Sequence, residues 1–390
     1  MFQQAFASLD QYLFCHRQYW QFMPFRQDSY PWDNHPLSNW LKSLTDDDVA
    51  SFEEQPDMLT RQSGPHLPWF RQADGWLDIS SRTSQISAPF WLTNGIKGRK
   101  WQQISHFAAQ CATKQGRIVE WCAGKGHLGR LLGWQQDKPV LSIEWQAGLC
   151  EQGREESDRQ GLRQEFLCAD VLAQDLRDQL RPDQQLVALH ACGQLHIRML
   201  QLAVEQRIGE LCLCPCCYQL IEQEVYQPLS GLAQDSELRL SRQELRLAVQ
   251  ETVTAPKRDR QKRLTERRYR LIFDSWQREA TGQDCYLPVP SAPDALFRQN
   301  PVAFCAWAAA QKGLTGPEER DLARHVQQAE QKLGMMARLE LVQHLFRRHL
   351  ELWLVLDRCL YLEEAGYRVE LTEFCSRSVT PRNLLIRAFL

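Results

Sequence analysis

A buried strand that turns into a helix is predicted by one segment, Ile118-Val-Glu-Trp-Cys-Ala-Gly-Lys-Gly-His-Leu-Gly129. Small residues fill the turn. Glycines let a backbone approach a ligand closely, and a helix that begins there offers free N–H groups and the positive end of its dipole. The next apolar segment ends in an acid, Glu144. The pattern therefore predicts a strand–loop–helix unit that binds a ligand at its turn.

Short apolar segments alternate with helical ones on both sides of this stretch. Strands separated by helices of about 10–15 residues indicate βαβ units and a parallel sheet. The predicted strands of this part are 117–121, 140–144, 166–168, 186–190 and 211–214. Near the end of the chain the pattern returns, with a helix at 352–364 and strands at 367–373 and 383–389. The fold class predicted is thus α/β.

Four segments of different character follow from this pattern. Residues 1–95 mix aromatic residues with turn signals and are interpreted as a helical and loop cap. Residues 96–218 hold the alternating strands and the glycine loop. Residues 219–350 are predicted to form a mainly helical insertion after the fifth strand, and residues 351–390 supply the last helix and the two C-terminal strands.

The composition is that of an ordinary globular protein. The chain has 390 residues, 43% apolar and 24% charged, and its formal net charge of −2 gives no global reason for binding nucleic acid or a membrane. No stretch approaches the roughly 18 consecutive apolar residues of a membrane span, and the first residues lack a signal-peptide pattern. Fourteen cysteines suggest buried thiols in a reducing compartment. We expect a cytoplasmic protein; the sequence carries no signal for its oligomeric state.

Two cofactors fit a glycine loop that is followed by acids. Gly124-Lys-Gly-His-Leu-Gly129 matches the G-x-G-x-x-G pattern of dinucleotide-binding proteins. However, a carboxylate at Glu120 would repel a pyrophosphate, whereas it could bind the ammonium group of a methionine moiety. Glu144 could accept hydrogen bonds from ribose hydroxyls, and Asp170 follows the third strand, where an adenine could lie. The acids favour S-adenosylmethionine over NAD.

Further candidate residues follow the fourth and fifth strands. His190 ends the fourth strand and could act as a general base or donate a hydrogen bond, although a structural histidine is an equally good interpretation. Lys97 precedes the helix that leads into the sheet and could bind an anionic group or merely face solvent. The predicted substrate pocket consists of Lys97, Cys214, Cys216, Cys217 and Tyr218.

The segment Cys214-Pro-Cys-Cys217 raises the question of a metal. Cysteines bind zinc, but Cys-x-Cys-Cys lacks a second pair of ligands at the usual spacing. We therefore predict no metal site and interpret these residues as a wall of the pocket, with zinc as the alternative. A cysteine nucleophile is less suitable, because methyl transfer needs mainly the alignment of donor and acceptor.

One segment is strongly basic. From Lys257 to Arg270 the chain carries eight Lys or Arg residues against Asp259 and Glu266. Such a cluster can neutralise phosphates, so RNA is a predicted partner. A solvated basic helix is the alternative, because acids are interleaved with the basic residues.

Four motifs, in order along the chain, resemble a family of Rossmann-like, class I S-adenosylmethionine-dependent methyltransferases. This family includes the methyltransferase region of the glutathione S-transferase C-terminal domain-containing protein and methyltransferase-like relatives. The similarity runs from about residue 95 to the C-terminus. The motifs are Glu120-Trp-Cys-Ala-Gly-Lys-Gly-His-Leu-Gly-Arg130, Leu189-His-Ala-Cys-Gly193, Cys214-Pro-Cys-Cys-Tyr218 and Thr380-Pro-Arg-Asn-Leu-Leu-Ile386.

The resemblance implies a seven-stranded sheet whose last strand is antiparallel to the others, with S-adenosylmethionine as methyl donor. The family's loop has glycine where this chain has Cys122, which could shift the loop backbone. A more distant similarity to a tRNA ribose methyltransferase family hints at RNA. The donor-binding positions carried over are Glu120, Cys122, Gly124, Gly126, Glu144 and Asp170.

The sequence thus predicts a methyltransferase, with RNA preferred as acceptor over protein or a small molecule. Two alternatives remain. One is an NAD-dependent oxidoreductase that uses the G-x-G-x-x-G loop. The other is a catalytically silent protein that keeps the fold as a scaffold.

Overall fold

The strands of the described residues form one sheet. The computed structural model describes residues 1–32, 35–250 and 257–390. In this part of the chain the strands are β1 (Ser80–Ser81), β2 (Arg117–Trp121), β3 (Val140–Glu144), β4 (Gln164–Cys168), β5 (Gln184–Cys192), β6 (Glu210–Cys216), β7 (Arg368–Glu373) and β8 (Leu384–Phe389). Their order in the sheet is β1-β7-β8-β6-β5-β2-β3-β4.

Helices connect and cover the strands. The α-helices of the described residues are α1 (Phe2–Cys15), α2 (Pro36–Ser43), α3 (Asp46–Glu54), α4 (Pro56–Ser63), α5 (Phe90–Thr93), α6 (Gly98–Ala108), α7 (His127–Gln136), α8 (Ala147–Arg159), α9 (Gln194–Glu205), α10 (Gly231–Gln234), α11 (Arg242–Leu247), α12 (Lys257–Thr281), α13 (Pro301–Ala310), α14 (Glu319–Leu345) and α15 (Arg347–Glu364). None of the helices described has both the length and the apolar character needed to cross a membrane.

The central strands are buried on both faces, which explains their apolar composition. All five residues of β3 and four of the five of β2 are buried. Parallel strands covered by helices on both faces favour such runs. On one side α6 and α7 pack against the sheet through Phe107 and Leu131, which belong to the same apolar cluster as Ile118 and Val187. This packing fixes where β2 ends and α7 begins, and so positions the glycine loop.

The strand count differs from the prediction of seven. The additional strand, β1, has two residues and pairs in parallel with β7 at the edge of the sheet. Two exposed serines carry no alternation of apolar and polar residues, so no pattern marks this strand. The predicted antiparallel last strand is confirmed, because β8 lies between β6 and β7 and runs antiparallel to both.

The chain divides into two compact units whose bounds differ from the four predicted segments. The first comprises Met1–Gln18, Arg71–Gln250 and Phe346–Leu390, and the second comprises Tyr19–Phe70 and the described part of Glu251–Leu345. The start of the chain joins the sheet unit because Phe6 of α1 packs against Trp353 of α15, with ring centroids 5.2 Å apart.

Residues 219–250 also belong to the sheet unit rather than to the helical insertion that was predicted to begin at 219. The buried carboxylate of Asp357 in α15 explains this assignment. It accepts hydrogen bonds from the backbone N–H groups of Leu229 (3.1 Å) and Ser230 (2.8 Å) and from the hydroxyl groups of Ser230 and Tyr226. These bonds stabilise the segment against α15.

The second unit has an apolar core of its own. Helices α12, α13 and α14 bury Phe273, Phe304 and Met336 in one cluster. These three helices agree with the helical character that the sequence predicts for this part of the chain.

Candidate functional site

The carboxyl ends of five parallel strands meet at one edge of the sheet. The chain passes from β2 outward through β3 to β4 and then returns to place β5 on the other side of β2. Ligands of open α/β sheets bind in the crevice at such a reversal of strand order. These carboxyl ends bring together the glycine loop, Glu144, Asp170, His190 and Cys216, because each lies within the last three residues of one of the five strands or follows it. The sequence therefore places its main candidates in one region.

The loop between β2 and α7 has a left-handed backbone at three positions. The φ angles are 56° at Cys122, 59° at Gly124 and 70° at Gly126. At residue 126 a Cβ would also lie 2.5 Å from Cζ of Phe166, so glycine is required there. Cys122 occupies the position where the resembling family has glycine. A side chain in this conformation costs roughly 1–2 kcal/mol, so the loop carries local strain at Cys122.

Glu144 connects the loop to the next helix. One carboxylate oxygen accepts a hydrogen bond from the Gly124 N–H at 2.9 Å, and the other accepts from the Gln146 N–H at 3.0 Å. Each carboxylate oxygen can accept a second bond, so the group still has capacity for a ribose hydroxyl. The carboxylate therefore holds the loop in place, and its contact with a ribose hydroxyl stays a prediction.

Glu120 lies beneath the loop rather than at the open rim. Its side chain is 3% exposed and accepts a 2.7 Å hydrogen bond from the Ser142 hydroxyl. Burial raises the pKa of Glu120 to about 7, although hydrogen bonds from Ser142 and Gly129 and the charge of Arg130 oppose the shift. A Cβ on Gly129 would lie 2.5 Å from the Glu120 carboxylate, so α7 closes directly over it. In this arrangement Glu120 supports the loop; its contact with a donor ammonium group stays a prediction.

The raised pKa of Glu120 predicts a pH dependence of stability. Below about pH 4.5 the carboxyl is protonated in both the folded and the unfolded chain. As the pH rises towards 7, only the unfolded chain ionises, so the free energy of unfolding falls through this window and levels off above it. We expect the free energy of unfolding of Glu120→Gln, which keeps an acceptor for Ser142, to depend less on pH than that of the wild type. Denaturant unfolding at several pH values between 4.5 and 8 measures this, and parallel curves for the two proteins would contradict it.

Asp170 lies at the exposed rim after β4. One of its carboxylate oxygens accepts a 2.9 Å hydrogen bond from the Leu172 N–H, which fixes the side chain at the turn. Its accessibility agrees with a position beside an adenine, a role that remains a prediction.

His190 is mostly buried at the end of β5, and its φ angle is 66°. The ring Nε2 lies 3.0 Å from Oε1 of Gln103 in α6, so Nε2 donates and Nδ1 stays free of the proton in that arrangement. Burial lowers the pKa of His190. A neutral imidazole can accept a proton, as a general base must. Gln103 carried no sequence signal, because its partner lies on a distant strand.

Three cysteine thiols converge beside His190. The sulfur atoms of Cys192, Cys216 and Cys217 all lie within 4.8 Å of one another. Cys192 was quoted as part of a motif but was not predicted as a site residue. We expected no metal because the sequence lacks a second pair of ligands, but the fold brings the Cys192 thiol of β5 to the thiols of Cys216 and Cys217 at the end of β6.

Two of the other predicted pocket residues are buried, and the third is exposed. Cys214 is buried and its thiol donates to the Arg382 carbonyl at 3.0 Å. Tyr218 is 1% exposed and packs against the Arg358 guanidinium, which lies 5.0 Å from the ring centroid. The structure therefore brings neither of them to the rim, and Tyr218 has no exposed face for stacking. Lys97 is exposed at the N-terminus of α6.

The basic helix α12 has many of its cations in ion pairs within the second unit. The side chains of Lys257, Asp259 and Arg260 lie outside the described residues. Ion pairs at 2.6–2.9 Å reduce the charge that is available for phosphates; they join Lys262 to Asp294, Arg267 to Glu340, Arg268 to Glu330 and Arg270 to Glu266. RNA binding through this helix stays a prediction.

Comparison with known proteins bears on the segment that contains the site. Residues 99–224 match a family model described as a methyltransferase domain. This part of the chain is similar to methyltransferases. The match begins in α6, includes the glycine loop and Glu144, and ends just after the three-cysteine cluster.

Solved structures give partial overlaps. A tRNA (uracil-54, C5)-methyltransferase from Pyrococcus abyssi, in complex with S-adenosyl-L-homocysteine, is 14% identical over 30% of this chain and 30% of its own, with a TM-score of 0.26. A cyclopropane synthase from Mycobacterium tuberculosis is 11% identical over 78% and 88%, also at 0.26. A geranyl diphosphate C-methyltransferase from Streptomyces coelicolor is 9% identical over 43% and 63%, at 0.25. The chain spans less than two thirds of the first and third proteins.

Proposed function

We propose that this protein is an S-adenosylmethionine-dependent methyltransferase whose donor binds at the carboxyl ends of the parallel strands. The observation that carries the proposal is the pairing of Glu144 with the Gly124 N–H, within a segment similar to methyltransferase domains. An acid joined to a glycine loop at the reversal of strand order is an arrangement that suits a ligand with a ribose. We also propose that the chain is related to the methyltransferase region of the glutathione S-transferase C-terminal domain-containing protein.

The residues of the edge would divide the work of binding. Glu144 accepts from the ribose hydroxyls, and the rim at Asp170 borders the adenine. The N–H groups at the start of α7 bind the carboxylate of the methionine moiety, as helix N-termini bind anions. S-adenosylmethionine supplies an activated methyl group, so the chain itself needs to align the acceptor with that group and to exclude water.

His190 is the residue that we propose to take the proton of the acceptor. Bound S-adenosylmethionine would supply its methyl carbon to a lone pair of the acceptor atom, and its sulfur would keep the electron pair of the broken bond. Any proton displaced from the acceptor then needs a base. His190 is neutral because burial lowers its pKa. It lies near the end of β5, the strand that pairs with β2, and so beside the glycine loop that follows β2.

RNA is the acceptor that we propose to test first. The basic cluster from Lys257 to Arg270 supports an anionic polymer, while its ion pairs with Glu340 and Glu330 weaken the case. Protein and small-molecule acceptors are the other outcomes of the test.

We expect the protein to transfer labelled methyl groups from S-adenosylmethionine to an RNA fraction. The experiment incubates it with labelled donor and with separate fractions enriched in tRNA, rRNA and protein, followed by extraction and counting. Label in protein alone would overturn the RNA preference. Label in no fraction, together with tight binding of the donor, would favour the catalytically silent scaffold or a small-molecule acceptor.

Isothermal titration with S-adenosylmethionine and with NAD separates the two cofactors. The similarity of residues 99–224 to methyltransferase domains favours S-adenosylmethionine, so we expect heat from the first ligand and none from the second. Binding of NAD alone would end the methyltransferase proposal in favour of an oxidoreductase.

A further inference from the structure

Two neighbouring strands end in cysteines that face one another. Cys192 is the last residue of β5 and Cys216 the last residue of β6, and the two are paired in the parallel register. Cys217 follows directly, and the three sulfur atoms lie within 4.8 Å of one another. Two strands and one turn thus bring together thiols that are separated in the sequence.

The spacing of the sulfur atoms suits a metal ion. A tetrahedral zinc ion has Zn–S bonds of about 2.3 Å, which places neighbouring sulfur ligands roughly 3.8 Å apart. The sulfur atoms of Cys192 and Cys216 are 3.5 Å apart. A few tenths of an ångström of side-chain movement would therefore bring this pair to the distance that zinc requires.

The backbone around the cluster is fixed by bonds that do not involve the thiols. The Gly193 N–H donates to the Cys216 carbonyl at 3.0 Å, and the Leu220 N–H donates to the Cys217 carbonyl at 2.9 Å. The φ angle of Cys217 is 47°, an unusual value for a residue with a side chain. Conformations of this kind persist where the surroundings determine them, and they are concentrated at functional sites.

We infer that Cys192, Cys216 and Cys217 form a zinc-binding site with three thiolate ligands. Cys216 is buried, whereas Cys192 and Cys217 are partly exposed. A site with three thiolates leaves a fourth coordination position for water or another ligand, as in zinc sites with three protein ligands. The inference stands independently of the proposed methyl transfer.

The first measurement is the metal content of the full-length protein. Purified chain is incubated with zinc, desalted and analysed by mass spectrometry of the elements, and we expect about one zinc ion per chain. Cobalt(II) should give the near-ultraviolet charge-transfer absorption that reports thiolate ligands. Absence of retained zinc and of this absorption would overturn the inference. A Cys192–Cys216 disulfide, found by peptide mapping of protein kept free of oxidants, would overturn it too.

Variants show whether these three thiols are the ligands. We expect Cys192→Ser and Cys217→Ser each to lower zinc affinity at least tenfold in competition with a chromophoric chelator. Cys168→Ser is the matched control, because Cys168 is an exposed thiol at the end of β4 and lies outside the cluster. Its affinity should equal that of the wild type. Circular dichroism identifies any variant that fails to fold, and equal zinc affinity in folded cluster variants and control would exclude the site.

Discussion

Replacing Gly193 with alanine is expected to lower the free energy of unfolding by roughly 3 kcal/mol or more, or to prevent folding. Gly193 has φ 53° and ψ −118°, a region that residues with a Cβ rarely adopt. A Cβ there would lie 2.5 Å from the backbone carbonyl carbon of Leu220. Since that contact is with backbone, no rotation of a side chain relieves it. The turn that orders Cys216 and Cys217 would have to move.

Denaturant unfolding measures this effect, and Gly148→Ala provides the matched control. Gly148 lies in the first turn of α8, and a Cβ there would have no atom within 4 Å. Alanine is the better helix former, so we expect this variant to be unchanged or more stable by up to about 1 kcal/mol. Equal stability of Gly193→Ala and the wild type would show that the turn at Leu220 is not fixed as the structure has it.

The second large effect is expected from Glu144→Ala. The substitution removes the acceptor of the Gly124 and Gln146 N–H groups, and with it the proposed partner of the ribose hydroxyls. Losing one charged hydrogen-bonding partner from a ligand costs about 1.5–3 kcal/mol, so we expect the affinity for S-adenosylmethionine to fall by roughly 10- to 150-fold. Isothermal titration measures the change.

Two comparisons make this result specific. Glu144→Gln keeps one acceptor oxygen and should lose less affinity than Glu144→Ala. Glu165→Ala removes an exposed acid of β4 that pairs with Arg117, so it should bind the donor as the wild type does. Undiminished binding by folded Glu144→Ala would remove Glu144 from the site even though the fold stays as described.

The central strands could be predicted from the sequence because their burial leaves a continuous apolar signal. The bounds of β2 and β3 agree with the prediction residue by residue. The first two residues of the longer strand β5 were missed, because Gln184 and Gln185 are buried polar residues that precede the apolar run. Side-chain bonds, such as that from Gln184 to the Gln179 carbonyl, satisfy such groups and are not visible in a pattern.

The candidate site was predictable where it depends on strand ends and not where it depends on tertiary packing. Glu144 and Asp170 follow strands, so their placement at the edge comes from the alternation itself. The burial of Tyr218 depends on Arg358 of α15, far along the chain. The division into units likewise depends on remote partners, such as Phe6 and Trp353. Contacts of this kind leave no periodicity in either segment.

The position of β8 between β6 and β7 has a consequence for synthesis of the chain. When a ribosome has completed β6, the strand that will cover its outer edge still lies beyond residues 217–383. At synthesis rates of about 5–20 residues per second, this apolar edge waits roughly ten seconds or longer for its partner. An unpaired strand edge invites pairing with other chains. The nascent protein therefore passes through a period in which the unpaired edge of β6 can aggregate with other chains. This period ends only when β8 has been synthesised.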